Sequence, residues 1–358
     1  MATSPCQAVT PGPDVLAQIA SAIAALPSTG GCVDARGLTG VQTGKTTVVV
    51  QKPVTLLLGA VQIQTKANPT FLIQATSNPP NTPVSSLTVL GNDPNSSVIV
   101  AAQPNVTLFE LAGNIVPISD YVGGETLTIK RCGLCGGNLS GNGGLTGTVM
   151  VNAPGYPATN FEQGLLLIED NLITNFGDTA LKFGPSVNFN RIHRNEFLCN
   201  NQAIYLDYNT EASITENNFI MGPSPITGPH AGPTITVIGP MHRIVHNYFY
   251  RNALPDPSNT PDILLQPQAA WMSQAGGYDW IEDNRFGSEL ENLDPARRRI
   301  KLTTPGPKPD PTLIAGPAIV RGNQFLGPAT GRIYRCVGDY GDHDAGPQNR
   351  LHHTETRR

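Results

Sequence analysis

Ile168-Glu169-Asp170-Asn171-Leu172-Ile173 decides the fold, because its form, aliphatic-x-x-Asn-x-apolar, returns along the chain. It recurs as Ile192-His-Arg-Asn195-Glu-Phe197, Ile214-Thr-Glu-Asn217-Asn-Phe219, Ile244-Val-His-Asn247-Tyr-Phe249, Ile281-Glu-Asp-Asn284-Arg-Phe286 and Val320-Arg-Gly-Asn323-Gln-Phe325. Successive asparagines lie 24, 22, 30, 37 and 39 residues apart. Helical repeats keep a tighter period, whereas one coil of a β-solenoid lengthens at any turn without disturbing its stacked strands.

A second phrase follows each of these and alternates inward aliphatic residues with outward variable ones. It reads Ala180-Leu-Lys-Phe183, Ala203-Ile-Tyr-Leu206, Thr234-Ile-Thr-Val237, Asp262-Ile-Leu-Leu265, Arg299-Ile-Lys-Leu302 and Arg332-Ile-Tyr-Arg335. Weaker upstream copies are Thr70-Phe-Leu-Ile73, Leu108-Phe-Glu-Leu111 and Thr148-Val-Met-Val151, with Asn92 and Cys132 at the Asn positions of their rungs. The count is about nine coils, which at ~4.8 Å per stacked strand makes a rod ~40 Å long. A buried amide both donates and accepts, so each Asn can bond the turn backbone and the Asn stacked on it.

Composition agrees with one elongated core. Of 358 residues, 37 are Gly and 32 are Pro, while charged residues reach only 14%, against ~25% in an average soluble domain. Long helices and coiled coils are therefore excluded in favour of strands and turns. A net charge of −4 supplies no basic stripe to neutralise phosphates, which argues against a nucleic-acid partner. Val15 to Leu26, interrupted by Gln18 and Ser21, is too short for the ~20 residues of a membrane span. No basic segment precedes it, so no signal peptide is read. Low charge and six cysteines nonetheless favour a secreted or cell-surface protein. Six thiols allow 15 pairings, of which Cys6 with Cys32 is preferred. Cys132-Gly-Leu-Cys135 has zinc or redox spacing, but lacks a second pair and nearby histidines, so it is read as structural.

Residues 1–30 read as an arm and a capping helix, with Asp14 as N-cap and Val15, Leu16, Ile19, Ile23 and Leu26 on one apolar face before Pro27. Residues 31–337 form the repeat. Residues 338–358 are a polar tail with no matching cap, which leaves that end open to oligomer contacts. Asp339, Asp342, His343 and Asp344 gather calcium-type ligands in the tail. They lack the Gly-Gly-x-Gly-x-Asp repeat of calcium-loaded β-rolls, so calcium is not assigned.

The residues before the ladder asparagines are Asp170, Arg194, Glu216, His246 and Asp283. Stacked one coil apart, their alternating signs make neighbours of opposite charges. Glu169-Asp170, Glu282-Asp283 and His193-Arg194 thus read as surface ladder pairs before acid/base dyads.

The Asn-bearing turn, the loop after it and the alternating strand together resemble the right-handed parallel β-helix of the pectate-lyase-like superfamily, over roughly residues 30–337. The resemblance implies an all-β solenoid with polysaccharide lying along the outer face of the alternating strand. Read in register, that outward column is Leu72, Glu110, Met150, Lys182, Tyr205, Thr236, Leu264, Lys301 and Tyr334. Lys182 and Tyr205 fall on neighbouring coils, Asp207 lies two residues beyond on the same face, and Asp178 enters the Lys182 strand. A uronate lyase needs a cation facing the carboxylate, a base for the C5 proton and an acid for the leaving oxygen. Lys182, Tyr205, Asp207 and Asp178 are the candidates for those roles, with Glu110, Lys301 and Tyr334 as substrate contacts.

A polygalacturonase-type hydrolase fits less well. Its Asp-Asp position reads Asp178-Thr179, its Gly-His-Gly position reads Asn201-Gln202-Ala203, and Arg299-Ile300-Lys301 matches its last motif several coils too late. The superfamily also holds epimerases, phage spikes and adhesins, so fold does not fix function. A non-catalytic module for glycan binding, adhesion or spike-like trimeric assembly stands beside the lyase.

Overall fold

The computed structural model describes residues 6–74, 85–112, 126–137, 144–154, 163–164, 166–185, 187–207, 211–221, 233–239, 241–251, 261–265, 279–288, 300–302 and 319–325. Three parallel sheets of eleven, ten and nine strands run through them, which we label A, B and C. One coil passes through Leu166–Glu169 in A, Leu172–Thr174 in B and Thr179–Phe183 in C. The next repeats the path with Arg191–His193, Glu196–Leu198 and Gln202–Asp207. Registers hold from coil to coil: Ile168 pairs with Ile192 and Ile192 with Ile214 in A, while Ile173 pairs with Phe197 in B. The architecture is a parallel β-helix, as the repeat predicts. No helix among the described residues is long and apolar enough to cross a membrane.

Alternation puts every second side chain of each strand inside. The inward residues of sheet A, from Val33 through Ile129 and Ile192 to Ile281, are completely buried or nearly so. Inside sheet B the rings of Phe197, Phe219, Phe249 and Phe286 stack with centroids 4.8, 4.9 and 4.9 Å apart. The coil spacing itself sets that separation, which lies in the favourable range for offset aromatic pairs.

The corner between sheets A and B carries the ladder. From Arg131 onward it is two residues long, and the first adopts left-handed φ: Asp170 57°, Arg194 51°, Glu216 58°, His246 57° and Asp283 52°. Such a backbone is unfavourable for residues with a Cβ, and the asparagine that follows offsets the cost with hydrogen bonds. Asn195 Oδ1 accepts from Asn171 N (3.1 Å) and Nδ2 (3.0 Å), while Asn195 Nδ2 donates to the Ile168 carbonyl (2.8 Å) and to Asn217 Oδ1 (3.0 Å). The same contacts continue through Asn247, Asn284 and Asn323. Cys132 ends the series, its N–H donating to Asn171 Oδ1 at 3.0 Å.

Three sequence expectations need correction. Register places Gly133 on Val98, so the rung above Cys132 carries Ser97 and not Asn92. Ser97 is buried, and its Oγ donates to the Gly59 carbonyl (2.8 Å) while accepting the Asn92 N–H (2.9 Å). Asn92 is exposed, because the corner here has grown to the six residues between Leu90 and Ser97. In sheet C, Asn152 pairs with both Glu110 and Lys182, so Asn152 and not Met150 stands in the outward column. Met150 is fully buried. The apolar run Val149-Met150-Val151 admits two alignments, and the one read from sequence is two residues off, which gives the core residue Met150 the outward place that Asn152 holds. Sheet C has nine strands, but its first is Val48–Val50, which the second phrase missed. The Arg332–Arg335 copy lies outside the described residues, as does the acidic tail.

Helix α1 (Val15–Ala25) packs against the first strands, burying Val15, Leu16, Ile19 and Ile23. Asp14 caps it, with Oδ1 accepting from Leu16 N (3.1 Å), Ala17 N (3.2 Å) and Lys45 N (3.2 Å). Its Oδ2 accepts from Thr46 Oγ1 (2.7 Å), so one carboxylate ties the helix to the corner beneath it. Cβ at Gly44 would lie 2.3 Å from Leu16 Cγ, which is why the strand under the helix carries glycine there. A disulfide joins Cys6 to Cys32.

Candidate functional site

The outer face of sheet C brings the first candidate residues together. Its central column runs Leu72, Glu110, Asn152, Lys182, Tyr205, Thr236, Leu264, Lys301. Lys182 and Tyr205 are direct Cα partners on adjacent coils. Lys182 Nζ lies 3.9 Å from Asp178 Oδ2, both side chains about half exposed. Asp207 follows Tyr205 by two residues on the same face, and burial pushes its carboxyl above the usual carboxylate range. Cation, phenol and two carboxylates thus span two coils, ~5 Å apart along the axis.

The remaining candidates lie farther off. Glu110 is two coils from Lys182, ~10 Å away, and Lys301 is three coils from Tyr205, ~14 Å away. Tyr334 is outside the described residues, as are Arg299, Asp339, Asp342, His343 and Asp344. Among the described residues, no group of His, Cys, Asp and Glu is arranged to hold a metal ion. Cys132 and Cys135 are buried thiols whose desolvation pushes them up to about 12 and about 11, which keeps them protonated and inert.

Sequence reading missed a hydrogen-bond chain beside the cluster. Thr179 Oγ1 bonds Gln202 Oε1 (3.0 Å), and Gln202 Nε2 donates to Thr236 Oγ1 (2.9 Å). Thr179 adjoins Asp178, so the chain braces the strand carrying Lys182 against the two coils after it. Gln202 stands where a polygalacturonase would carry its histidine. The absence of that histidine was visible in the sequence, but the amide's bridging role depends on register.

Four of the five ladder charges, Asp170, Arg194, His246 and Asp283, are paired as the ladder reading expects, and Glu216 is not. Arg194 Nε lies 2.8 Å from Asp170 Oδ1, its Nη2 meets Glu169, and Lys130 Nζ lies 2.7 Å from Glu169 Oε2. Lys130 first, then Arg194, holds the Glu169 carboxyl below its ordinary range against the opposing effect of burial. His246 Nε2 lies 3.5 Å from Asp283 Oδ2, and Arg321 Nε 2.6 Å from Glu282 Oε1.

No family model matches the chain, and no curated protein matches it. Solved structures do. DFA-IIIase from Arthrobacter chlorophenolicus A6, in complex with DFA-III, aligns over 91% of this chain and 83% of its own at 10% identity and TM-score 0.49. The three parallel sheets of this chain make the same kind of fold, a parallel β-helix. ORF18 of Geobacillus virus E2 aligns over 85% of this chain and 58% of its own at 15% identity and TM-score 0.38. The tailspike protein of Acinetobacter phage vB_ApiP_P1 aligns over 90% and 61% at 13% identity and TM-score 0.36. Likeness of this grade transfers neither activity nor ligand, and the β-helix assignment stands on the three sheets themselves.

Proposed function

We propose that this protein is an exported β-helix that binds an acidic polysaccharide along the outer face of sheet C and cleaves it by β-elimination. The observation that carries the reading is the in-register pair Lys182 and Tyr205, with Asp207 and Asp178 beside it. Lys182, already facing one carboxylate, exchanges Asp178 for the uronate carboxylate and withdraws charge from C5. Asp207, raised by burial, is a stronger base than an ordinary aspartate and takes the C5 proton. Tyr205 donates its phenolic proton to the departing glycosidic oxygen. Electrons from the broken C5–H bond form the new double bond as the C4–O bond opens, so the products are an unsaturated uronate and a new chain end.

Incubation with pectate, alginate and glucuronate polymers tests this, with ultraviolet absorbance of the unsaturated uronate as readout. Turnover on one polymer and a loss of ~100-fold or more in Lys182→Ala support the lyase. A folded protein without product on any of them overturns it. The second reading, a non-catalytic glycan-binding face, draws on the column away from the cluster, where Leu72, Asn152, Thr236 and Leu264 present neutral side chains. Binding without turnover selects it.

A further inference from the structure

A groove of about 540 Å³ opens on the A–B corner, away from sheet C. Its origin is a corner longer than the two-residue corners of the coils that follow. The six residues between Leu90 and Ser97 project as a ledge over the flat corners below. The ledge is ordered by its own bonds: the Asp93 carbonyl accepts from Ser96 N (3.1 Å) and Ser97 N (2.9 Å), and Asp93 Oδ1 accepts from Asn95 N (2.8 Å). It sits so close to the sheet that Cβ at Gly133 would lie 2.2 Å from the Pro94 carbonyl oxygen.

Beneath the ledge, the floor is the outward column of sheet B, Leu172, Glu196 and Asn218. The side wall is the left-handed corner column from Arg131 to Glu216. Three coil steps separate those two residues, so the wall is ~14 Å long, the length of a short oligosaccharide. Arg194 is consumed by Asp170 and Glu169. Among the described residues, Arg131, Glu196 and Glu216 have no ion pair, and the Glu196 carboxyl has no hydrogen bond either. Burial alone raises the Glu196 carboxyl, so it offers both donor and acceptor over a wider pH range than a solvated glutamate. Asp93, Glu196 and Glu216 outnumber Arg131, which makes the space repulsive to uronates. Leu172 supplies an apolar contact, and Asn218 an exposed amide.

We propose that this groove binds a short neutral oligosaccharide lying along the helix axis, its hydroxyls bonded by Glu196 and Asn218 and its end set by the Asn92–Asn95 ledge. The site is distinct from the sheet C cluster in place and in charge preference, and does not depend on the lyase reading. The test is titration calorimetry of the full chain with maltotriose, cellotriose and triacetylchitotriose, with trigalacturonate as competitor. At least one neutral trisaccharide binds, Glu196→Ala and Asn218→Ala each weaken it by ~10-fold or more, Lys182→Ala leaves it unchanged, and trigalacturonate does not displace it. No heat with any of the three sugars, undiminished affinity in both groove variants, or displacement by trigalacturonate overturns the proposal. Both substituted side chains face solvent or the groove, and circular dichroism of each variant confirms the fold.

Discussion

Replacing Asn217 by alanine probes the corner column at its centre. Asn217 is fully buried. Its Oδ1 accepts from Asn195 N (2.9 Å) and Nδ2 (3.0 Å), and its Nδ2 donates to the Ile192 carbonyl (2.8 Å) and Asn247 Oδ1 (3.1 Å). After truncation, Asn195 Nδ2 keeps the Ile168 carbonyl, and Asn247 Oδ1 keeps the Asn217 backbone N–H. The group stranded without a partner is the Asn195 N–H, since the Ile192 carbonyl stays in the sheet A ladder that pairs Ile192 with Ile214. At ~1–3 kcal/mol for a buried orphan, the expected loss is ~1–3 kcal/mol. Equilibrium urea unfolding followed by circular dichroism reads it as a lowered midpoint at unchanged slope. Asn218→Ala, one residue along and exposed, is the control and should shift stability by less than ~0.5 kcal/mol. A loss below ~1 kcal/mol for Asn217→Ala, or equal losses for the two variants, would refute the idea that the column's hydrogen bonds hold the corner.

Three further outcomes follow from neighbouring features. Asp14→Ala removes a carboxylate that serves helix α1, Lys45 and Thr46 together, and should cost ~1–2 kcal/mol, measured by the same urea titration. Gly133→Ala drives a Cβ into the Pro94 carbonyl oxygen, which should cost ~1–3 kcal/mol and weaken neutral-sugar binding in the groove. Glu169 titrates below its ordinary range in the folded state, so its contribution is complete above the unfolded value of ~4.3 and disappears as pH falls through the folded one. Thermal melts across that interval should show a shallower acid decline for Glu169→Gln than for the wild type, and parallel declines would contradict the pairing with Lys130 and Arg194.

The fold was legible because each coil writes the same chemistry: an aliphatic, a left-handed corner, a buried amide, an aromatic. Ile168 to Phe286 could be aligned by eye, and the Cys6–Cys32 bridge and the Asp14 cap also read correctly. Legibility failed where a coil departed from the rule. Asn92 reads as the rung because it is an asparagine before an apolar run, yet the longer corner moves the rung to Ser97, whose hydroxyl makes two hydrogen bonds where the Asn195 side chain makes four. Met150 was misplaced because three consecutive apolar residues give alternation no phase. The groove was hidden for a related reason: its residues come from five coils, and Glu196 and Asn218 look like ordinary surface residues until register sets them side by side. One signal was available, the excess length between Leu90 and Ser97 against the two-residue corners downstream. For the sheet C cluster, sequence found the residues but not the Thr179–Gln202–Thr236 brace.

The corner has a consequence for how such a molecule grows. Between Asn171 and Asn323 the coil length ranges from 22 to 39 residues, yet the corner itself never changes length over that span. All insertions have been absorbed on the other two edges of the prism. The asparagine edge therefore works as a ruler, counting coils and keeping them in phase, while the opposite edges are free to acquire loops. Lengthening by whole coils adds ~4.8 Å at a time and leaves both candidate surfaces in place, so this scaffold can change what it touches without altering how it is held together.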